Sequence, residues 1–450
     1  MQHSYPFFII TYFVQNLNRQ LRRKHIYCSI ILKQSYTKNI VIEIKVYKTM
    51  KEKLIFHVDV NSAFLSWEAV ERIKRNPTAV DVRTFPSAIG GDMSQRRGVI
   101  LAKSLPAKAY GVVTGEPIQT ALKKCPDLFL IQPNHRLYSE YSSQMFHLLY
   151  QFTPAIEPAS IDEAYLDMTE IVRDEDPIQL AVMIKDTIYK HLNFTVNVGI
   201  STNKLLAKMA SDFKKPNLVH TLFPHEVPKK MWPLPLRELF FVGKISSKVL
   251  KDLGLVTIGD VAKTDVRILK AHLGNKYGQL IHEYANGISN DSLMVERPAN
   301  KGYGNSTTLA EDVTDFDNAK LILLRLCETV GARLRKDKVS ASCVSVETTD
   351  WEFKKQSHQT TLTNPTDSTT ILYETACHLL KELWDGTPLR LLGVRTTKLT
   401  EDQFLQMNLF DNQKPEKLKQ LDQALDHIRG KYGNGAIKRA STMPSPQDKN

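Results

Sequence analysis

The seven residues from Leu54 to Val60 constrain this chain most: a short apolar run that carries an aspartate, Asp59, near its end. The run has the length and composition of a buried strand. A buried strand holds a carboxylate only beside a partner, because uncompensated buried charge is costly. A second stretch, Ile156 to Met168, reads as a hairpin turning at Ser160, Ile161 and Asp162, with Asp162 and Glu163 side by side. Three carboxylates at strand ends could share divalent cations. Mg²⁺ takes hard oxygen ligands, usually one or two carboxylates plus substrate phosphates. Two such ions ~3.5–4 Å apart can stabilise the attacking and leaving oxygens of an in-line phosphoryl displacement. The plainer reading is that Asp162 and Glu163 shape a turn, and composition alone favours it.

Around this feature, strands and helices alternate. Helical spacing runs over 62–75, 135–151, 177–192 and 202–213, the last stopping before Pro216, and Thr195 to Ile200 reads as a strand. Residues 79–131 are short, glycine-broken and strand-like, then helical from about Pro117. This is an α+β core. Beyond about 223 the chain turns helical. Residues 297–400 mix strands (Ser340–Glu347, Leu391–Leu399) with helices (Ala319–Arg335, Ser368–Leu383), as a separate α+β domain would. Past 401 the chain is polar except from Leu405 to Phe410, and Leu418 to Ala440 has helical periodicity.

The net charge of +12 is uneven: residues 1–49 hold eight Lys or Arg against one acid, Glu43, so basicity elsewhere is slight. Nucleic-acid binding must be argued from local placement. Those 49 residues differ from the rest, and Met50 opens a natural-looking start, so 1–49 are expected to be an unstructured upstream extension or a misplaced start. No apolar run of ~18 residues occurs, which argues against a membrane span. The five scattered cysteines form neither a CxxC pair nor a disulfide framework, which suits a reducing cytoplasm.

The wording of three blocks shifts the balance. Ser160 through Asp167 resembles the palm-hairpin signature of the Y-family, or translesion, DNA polymerases. Phe56 through Phe64 resembles their first motif, a strand ending in a metal-binding aspartate. Val198 through Ser201, then Asn203-Lys204, Ala207-Lys208 and Lys215-Pro216-Asn217, is similar to a third block. Order and spacing agree from about 54 to 400, nearest the DNA polymerase IV (DinB) subgroup. The resemblance implies an α+β right-hand polymerase: palm at 50–70 and 131–222, fingers at 71–130, a helical thumb at 223–292, a little finger at 297–400 and a polar tail at 401–450.

It also implies roles. Asp59 and Asp162 would be metal ligands, the Val60 carbonyl would complete one shell, and Glu163 would bind the second of two Mg²⁺ ions and help the primer 3′-hydroxyl attack. Phe64 matches the steric gate, whose ring fills the space a ribose 2′-OH needs. Lys215 would reach the incoming triphosphate. Lys108 stands where relatives often carry an arginine, keeping the charge but not the fork; Leu105 replaces a frequent tyrosine, and Ser62-Ala63 is smaller than the usual pair.

Val242 through Asp260 resembles a helix-hairpin-helix, with Gly243 and Lys244 offering backbone N–H groups and charge to a phosphate. Phe241 occupies the place of that hairpin's first glycine. From Lys229 to Glu283, ten basic residues face five acidic ones. Arg333, Arg335, Lys336 and Lys338 form a basic cluster at a helix end, read either as phosphate contacts or as a solvated turn. Gln406 through Phe410 is similar to the bacterial sliding-clamp peptide, with Gln406, Leu409 and Phe410 as anchors on a tether.

The expected protein is a monomeric, cytoplasmic polymerase that adds dNTPs to primed template DNA, is error-prone, lacks proofreading and uses the clamp as partner. Two rivals differ in class. A polymerase-like scaffold without synthesis would have lost an acidic ligand, and all three are present. A palm-type nucleotidyl cyclase would have no use for the hairpin or the clamp peptide.

Overall fold

The structure, a computed structural model, describes residues 53–91, 98–172, 176–296, 298–401, 417–433, 435–437 and 439, and the backbone alone of 26–34, 40–48 and 414–416. In chain order the elements begin β1 (Ile26–Gln34), β2 (Ile40–Lys48), β3 (Ile55–Val60), α1 (Ala63–Arg75), β4 (Ser87–Gly90), β5 (Ile100–Lys103), α2 (Leu105–Ala109), α3 (Ile118–Lys124), β6 (Phe129–Ile131) and α4 (His135–Leu149). There follow β7 (Ile156–Pro158), β8 (Glu163–Asp167), α5 (Pro177–Leu192), β9 (Val196–Ser201), α6 (Lys204–Ser211) and β10 (Val219–Thr221). Five helices come next: α7 (Val227–Lys230), α8 (Lys244–Asp252), α9 (Ile258–Lys263), α10 (Val266–Leu273) and α11 (Asn275–Ala285). The chain ends with β11 (Gly302–Val313), α12 (Phe316–Lys336), β12 (Ser340–Asp350), β13 (Lys355–Thr366), α13 (Thr369–Leu383), β14 (Leu389–Thr400) and α14 (Lys414–Tyr432).

Contacts divide the chain into two compact units, residues 1–85 with 134–297, and residues 86–133 with 298–450. In the first unit a five-stranded sheet has the order β10-β9-β3-β8-β7. Every residue of β3 and β9 is buried, as a strand covered on both faces requires. Alternation sorts β3. Phe56, Val58 and Val60 join Trp67, Tyr138, Met145 and Ile184 from α1, α4 and α5. Ile55, and with it His57 and Asp59, faces the side where Ala207 of α6 packs. Helix α6 can lie that close because position 199 is glycine: a Cβ there would sit 2.0 Å from the Ala207 carbonyl oxygen. Its far side, through Leu206 and Ala210, joins the core of the helical stretch α7–α11, with Met231, Leu250, Val261 and Ile281.

In the second unit the sheet β5-β4-β6 has its own small core of Ala88, Ile100, Ile118, Ala121 and Leu128. An antiparallel sheet of order β11-β14-β12-β13 packs on α12 and α13 through Leu323, Val330, Val344, Leu372 and Val394. Strands β11 and β13 carry no apolar alternation. Most of β13 is exposed, because it is an edge strand held by its backbone ladder to β12.

One expectation needs correction. Residues 26–34 and 40–48 are not unstructured: β1 and β2 pair antiparallel, Ile26 opposite Lys48 and Gln34 opposite Ile40. Both strands are rich in Ile, Val and Tyr, which favour the pleated conformation. The helical periodicity read over 418–440 matches α14, which docks on α12. Asp422 of α14 is buried, accepts the Thr369 backbone N–H at 2.8 Å, and pairs with Arg335 and Arg439. No helix among the described residues is long and apolar enough to cross a membrane.

Candidate active site

Asp59 ends β3 directly opposite Glu163, the first residue of β8. Asp162 is the residue before, and its carbonyl accepts the Val60 N–H at 3.1 Å. Ser160 Oγ donates to Asp162 Oδ1 at 2.6 Å and holds that side chain at the turn, where it is partly exposed. Sheet register therefore brings the three carboxylates, and the Val60 backbone, to one end of adjoining strands.

The lysines of the third block meet these carboxylates. Lys215 Nζ lies 2.6 Å from Asp59 Oδ2 and 2.9 Å from Asp212 Oδ1. Lys208 Nζ lies 3.0 Å from both Glu163 oxygens. Burial pushes the Asp59 carboxyl above its ordinary value, and Lys215 offsets this only in part. Burial also opposes the Glu163 charge, yet the His57 ring 3.6 Å away and the Lys208 amine bonded to both oxygens outweigh it and hold that carboxyl down at about 2. For Lys215 burial acts downward, but Asp59 and Asp212 prevail and raise it.

Three asparagines seat the Lys215 loop. Asn61 Oδ1 accepts the Asn217 N–H at 2.9 Å, and Asn197 donates to the carbonyls of Ser211 and Lys214 at 3.1 and 2.8 Å. The Lys215–Pro216 peptide is cis. Sequence reasoning named no role for Asn197, Asp212, Lys208 or His57. Their signal was position only: Lys208 and Asp212 are one helical turn apart, on the face where Lys215 follows.

Phe64 sits in the first turn of α1, stacked on Tyr138 of α4 with ring centroids 4.5 Å apart and planes 9° apart. That stack fixes a ring that would otherwise be free to turn away. In the helical region Gly243 caps α8 without a side-chain bond, and Lys244 is exposed. Phe241 takes the left-handed conformation, φ 73°, that a glycine would adopt. Contacts with Phe240 and Tyr284, and the Tyr277 hydroxyl donating to its carbonyl at 2.7 Å, hold it there.

Other expected site residues lie in the second unit. Leu105 and Lys108 are exposed on α2. Arg333 is exposed, donating to the Gly304 carbonyl at 3.0 Å and lying over the Tyr303 ring. Arg335 is not a phosphate contact. Its side chain is only 8 % exposed and is spent on Asp426, Asp422 and the Asp367 carbonyl. Gln406, Leu409 and Phe410 lie outside the described residues.

Among the described residues, no three acidic, histidine or cysteine side chains are arranged to hold one metal ion. Lysine amines occupy the carboxylate oxygens that such an ion would take. The donor set, hard oxygens with a buried and incompletely neutralised Asp59, fits a hard divalent cation that also takes substrate phosphates.

Known proteins resemble this chain in both fold and sequence. The chain resembles a Y-family DNA polymerase chimera of solved structure with TM-score 0.68 and 24% identity, over 78% of this chain and all of that one. The fold is thus that of a Y-family polymerase. Residues 58–212 match the impB/mucB/samB family and 300–409 its C-terminal domain. A DNA polymerase IV of Clostridium acetobutylicum is 46% identical over 388 residues, 86% of this chain and 98% of that protein. A DNA polymerase IV of Bacillus velezensis is 35% identical over 402 residues, 89% and 95% respectively. The chain belongs to the impB/mucB/samB family, alongside its DNA polymerase IV members, and is a DNA-directed DNA polymerase.

Proposed function

We propose that this polymerase copies primed template DNA past damaged bases by two-metal nucleotidyl transfer from dNTPs, without proofreading. The observation that carries the reading is the register of Asp59 against Glu163, with Asp162 one residue away, each held at an open strand end. Bound there, two Mg²⁺ ions would lower the charge barrier between a primer 3′-oxygen and the α-phosphate.

Asp59 and Asp162 would hold both ions, the Val60 carbonyl would complete the shell of one, and Glu163 would bind the other, nearer the primer. Lys215, already beside Asp59, would meet the triphosphate as a compact cation once that carboxylate has another partner. The Phe64 ring, fixed on Tyr138, would exclude a 2′-hydroxyl. Lys108 would add charge at the phosphates, and Gly243, Lys244 and Arg333 would grip DNA backbone without reading bases. Residues 50–70 with 131–222 serve as palm, 71–130 as fingers, 223–292 as thumb and 297–400 as little finger. The 406–410 peptide would bind a sliding clamp, with the enzyme acting as a cytoplasmic monomer.

The test is primer extension on undamaged and lesion-bearing templates in Mg²⁺, comparing wild type with Asp162→Asn. Extension past lesions that disappears in the variant supports the reading. A wild type that binds primed DNA and adds no nucleotide overturns it in favour of a scaffold.

A further inference from the structure

His57 lies on β3 two residues before Asp59, on the face covered by α6, and is fully buried. Its ring packs at 4.6 Å from the Tyr165 ring. Nδ1 is 2.8 Å from Ser211 Oγ. Nε2 is buried without a hydrogen-bond partner and points at Glu163 Oε2, 3.6 Å away, just beyond bonding distance. An orphaned buried polar atom is costly and calls for an explanation.

The carboxylate beside Nε2 favours one tautomer. Ser211 Oγ lies 2.8 Å from both His57 Nδ1 and the Lys208 carbonyl, and its single proton can go to either, while that carbonyl also accepts the Asp212 N–H. A lone pair on Nε2 would face a carboxylate, so the proton belongs on Nε2 and the Ser211 hydroxyl donates to Nδ1. The buried side of Glu163 then meets a fixed N–H, while its outer side meets the Lys208 amine. A lysine is a flexible point charge that can swing aside; an imidazole wedged between Tyr165 and Ser211 cannot.

We infer that His57 is a positioning residue for Glu163: its Nε2–H is the fixed donor that orients the carboxylate from the sheet side when the outer oxygens take another partner than Lys208. The inference rests on the role proposed above for Glu163. Partners of this kind, behind a ligating carboxylate, typically change metal affinity or activity by about 10–100-fold.

Gln and Asn separate the two ring nitrogens. Glutamine places its amide nitrogen where Nε2 stands; asparagine places one where Nδ1 stands. His57→Gln, His57→Asn and Glu163→Gln would be compared with wild type in single-turnover primer extension. Mn²⁺ affinity would be read by electron paramagnetic resonance on the protein bound to dideoxy-terminated primed DNA, with thermal unfolding recorded for each. His57→Gln should stay near wild type in both readouts. His57→Asn should lose about 10–100-fold in rate and in Mn²⁺ affinity, with the KM for dNTP little changed. Equal behaviour of the two variants, whether both intact or both impaired, overturns the inference. Should both lose the fold, Ser211→Ala decides: it frees the tautomer and should lower rate and Mn²⁺ affinity together, and wild-type values in it overturn the inference. A fully active Glu163→Gln would instead sink the reading of Glu163 itself. An inactive Glu163→Gln beside equal His57 variants would sink only the role of His57.

Discussion

Carboxylates and cations cluster twice in this protein, and the two clusters are built differently. At the palm end of β3, Asp59 and Glu163 pair with lysines, Lys215 and Lys208; side-chain exposure reaches 36 % for Lys215 and 25 % for Glu163. Between α12 and α14, Asp422, Asp426 and Glu328 pair with arginines, Arg335, Arg429 and Arg439; exposure falls to 8 % for Arg335 and 2 % for Asp422. Arg335 grips both oxygens of Asp426, at 2.6 and 3.2 Å. Guanidinium forks close every bond and hold a helix in place; ammonium groups at an open strand end can give way to a cation or a triphosphate. The same charges clasp a helix in one place and, in the proposed function, serve chemistry in the other.

Neutralising one member of each cluster sharpens the contrast most. Asp59→Asn or Asp162→Asn should lower single-turnover extension on the order of 10³-fold. The melting temperature of Asp59→Asn should not fall, because the change removes a charge that burial disfavours. A drop in stability equal to the drop in rate would erase the distinction between the clusters. Arg335→Ala should do the reverse. It leaves Asp422 buried with one partner fewer and should cost about 3–5 kcal/mol in the second unit, read as a lower urea midpoint. Its salt dependence of DNA binding should match wild type.

Smaller effects test the flanks of the same picture. Phe64→Ala should raise ribonucleotide incorporation relative to dNTP by about 10–200-fold, measured as the ratio of kcat/KM values. An unchanged ratio would assign the ring to packing on Tyr138 alone. Arg333→Ala should leave stability intact and reduce the slope of log K against log salt by about 0.9, the share of one phosphate contact. An unchanged slope would leave no arginine of that helix end on DNA.

Much of the palm was readable before any coordinates. Leu54 to Val60 is apolar except for His57 and Asp59, so burial and the carboxylate's need for a partner follow from the run itself. Strands β11 and β13 were not readable, since an edge strand can be polar on both faces when its ladder supplies the binding. Arg335 misled for a related reason. Arg333, Arg335, Lys336 and Lys338 are alike as text, but Arg335 faces α14 and Arg333 faces outward. Only the side a residue occupies on a helix, and what docks there, separates a buried clasp from an exposed charge. Phe241 shows a third case: a side chain in a glycine's place keeps the glycine's backbone conformation where Phe240 and Tyr284 touch its ring and the Tyr277 hydroxyl holds its carbonyl.

Sequence by itself carried the family resemblance, the strand-helix alternation and the positions proposed for Asp59, Asp162, Glu163 and Phe64, because motif wording and apolar patterning are written locally along the chain. Tertiary structure alone decided which cation faces which carboxylate. Lys208, Asp212, Lys215 and Ser211 reach β3 only because α6 crosses β9 at Gly199, where no Cβ stands in the way. Partners that far apart in the chain, such as His57 and Ser211, meet through packing, and packing is a property of the folded whole rather than of any segment.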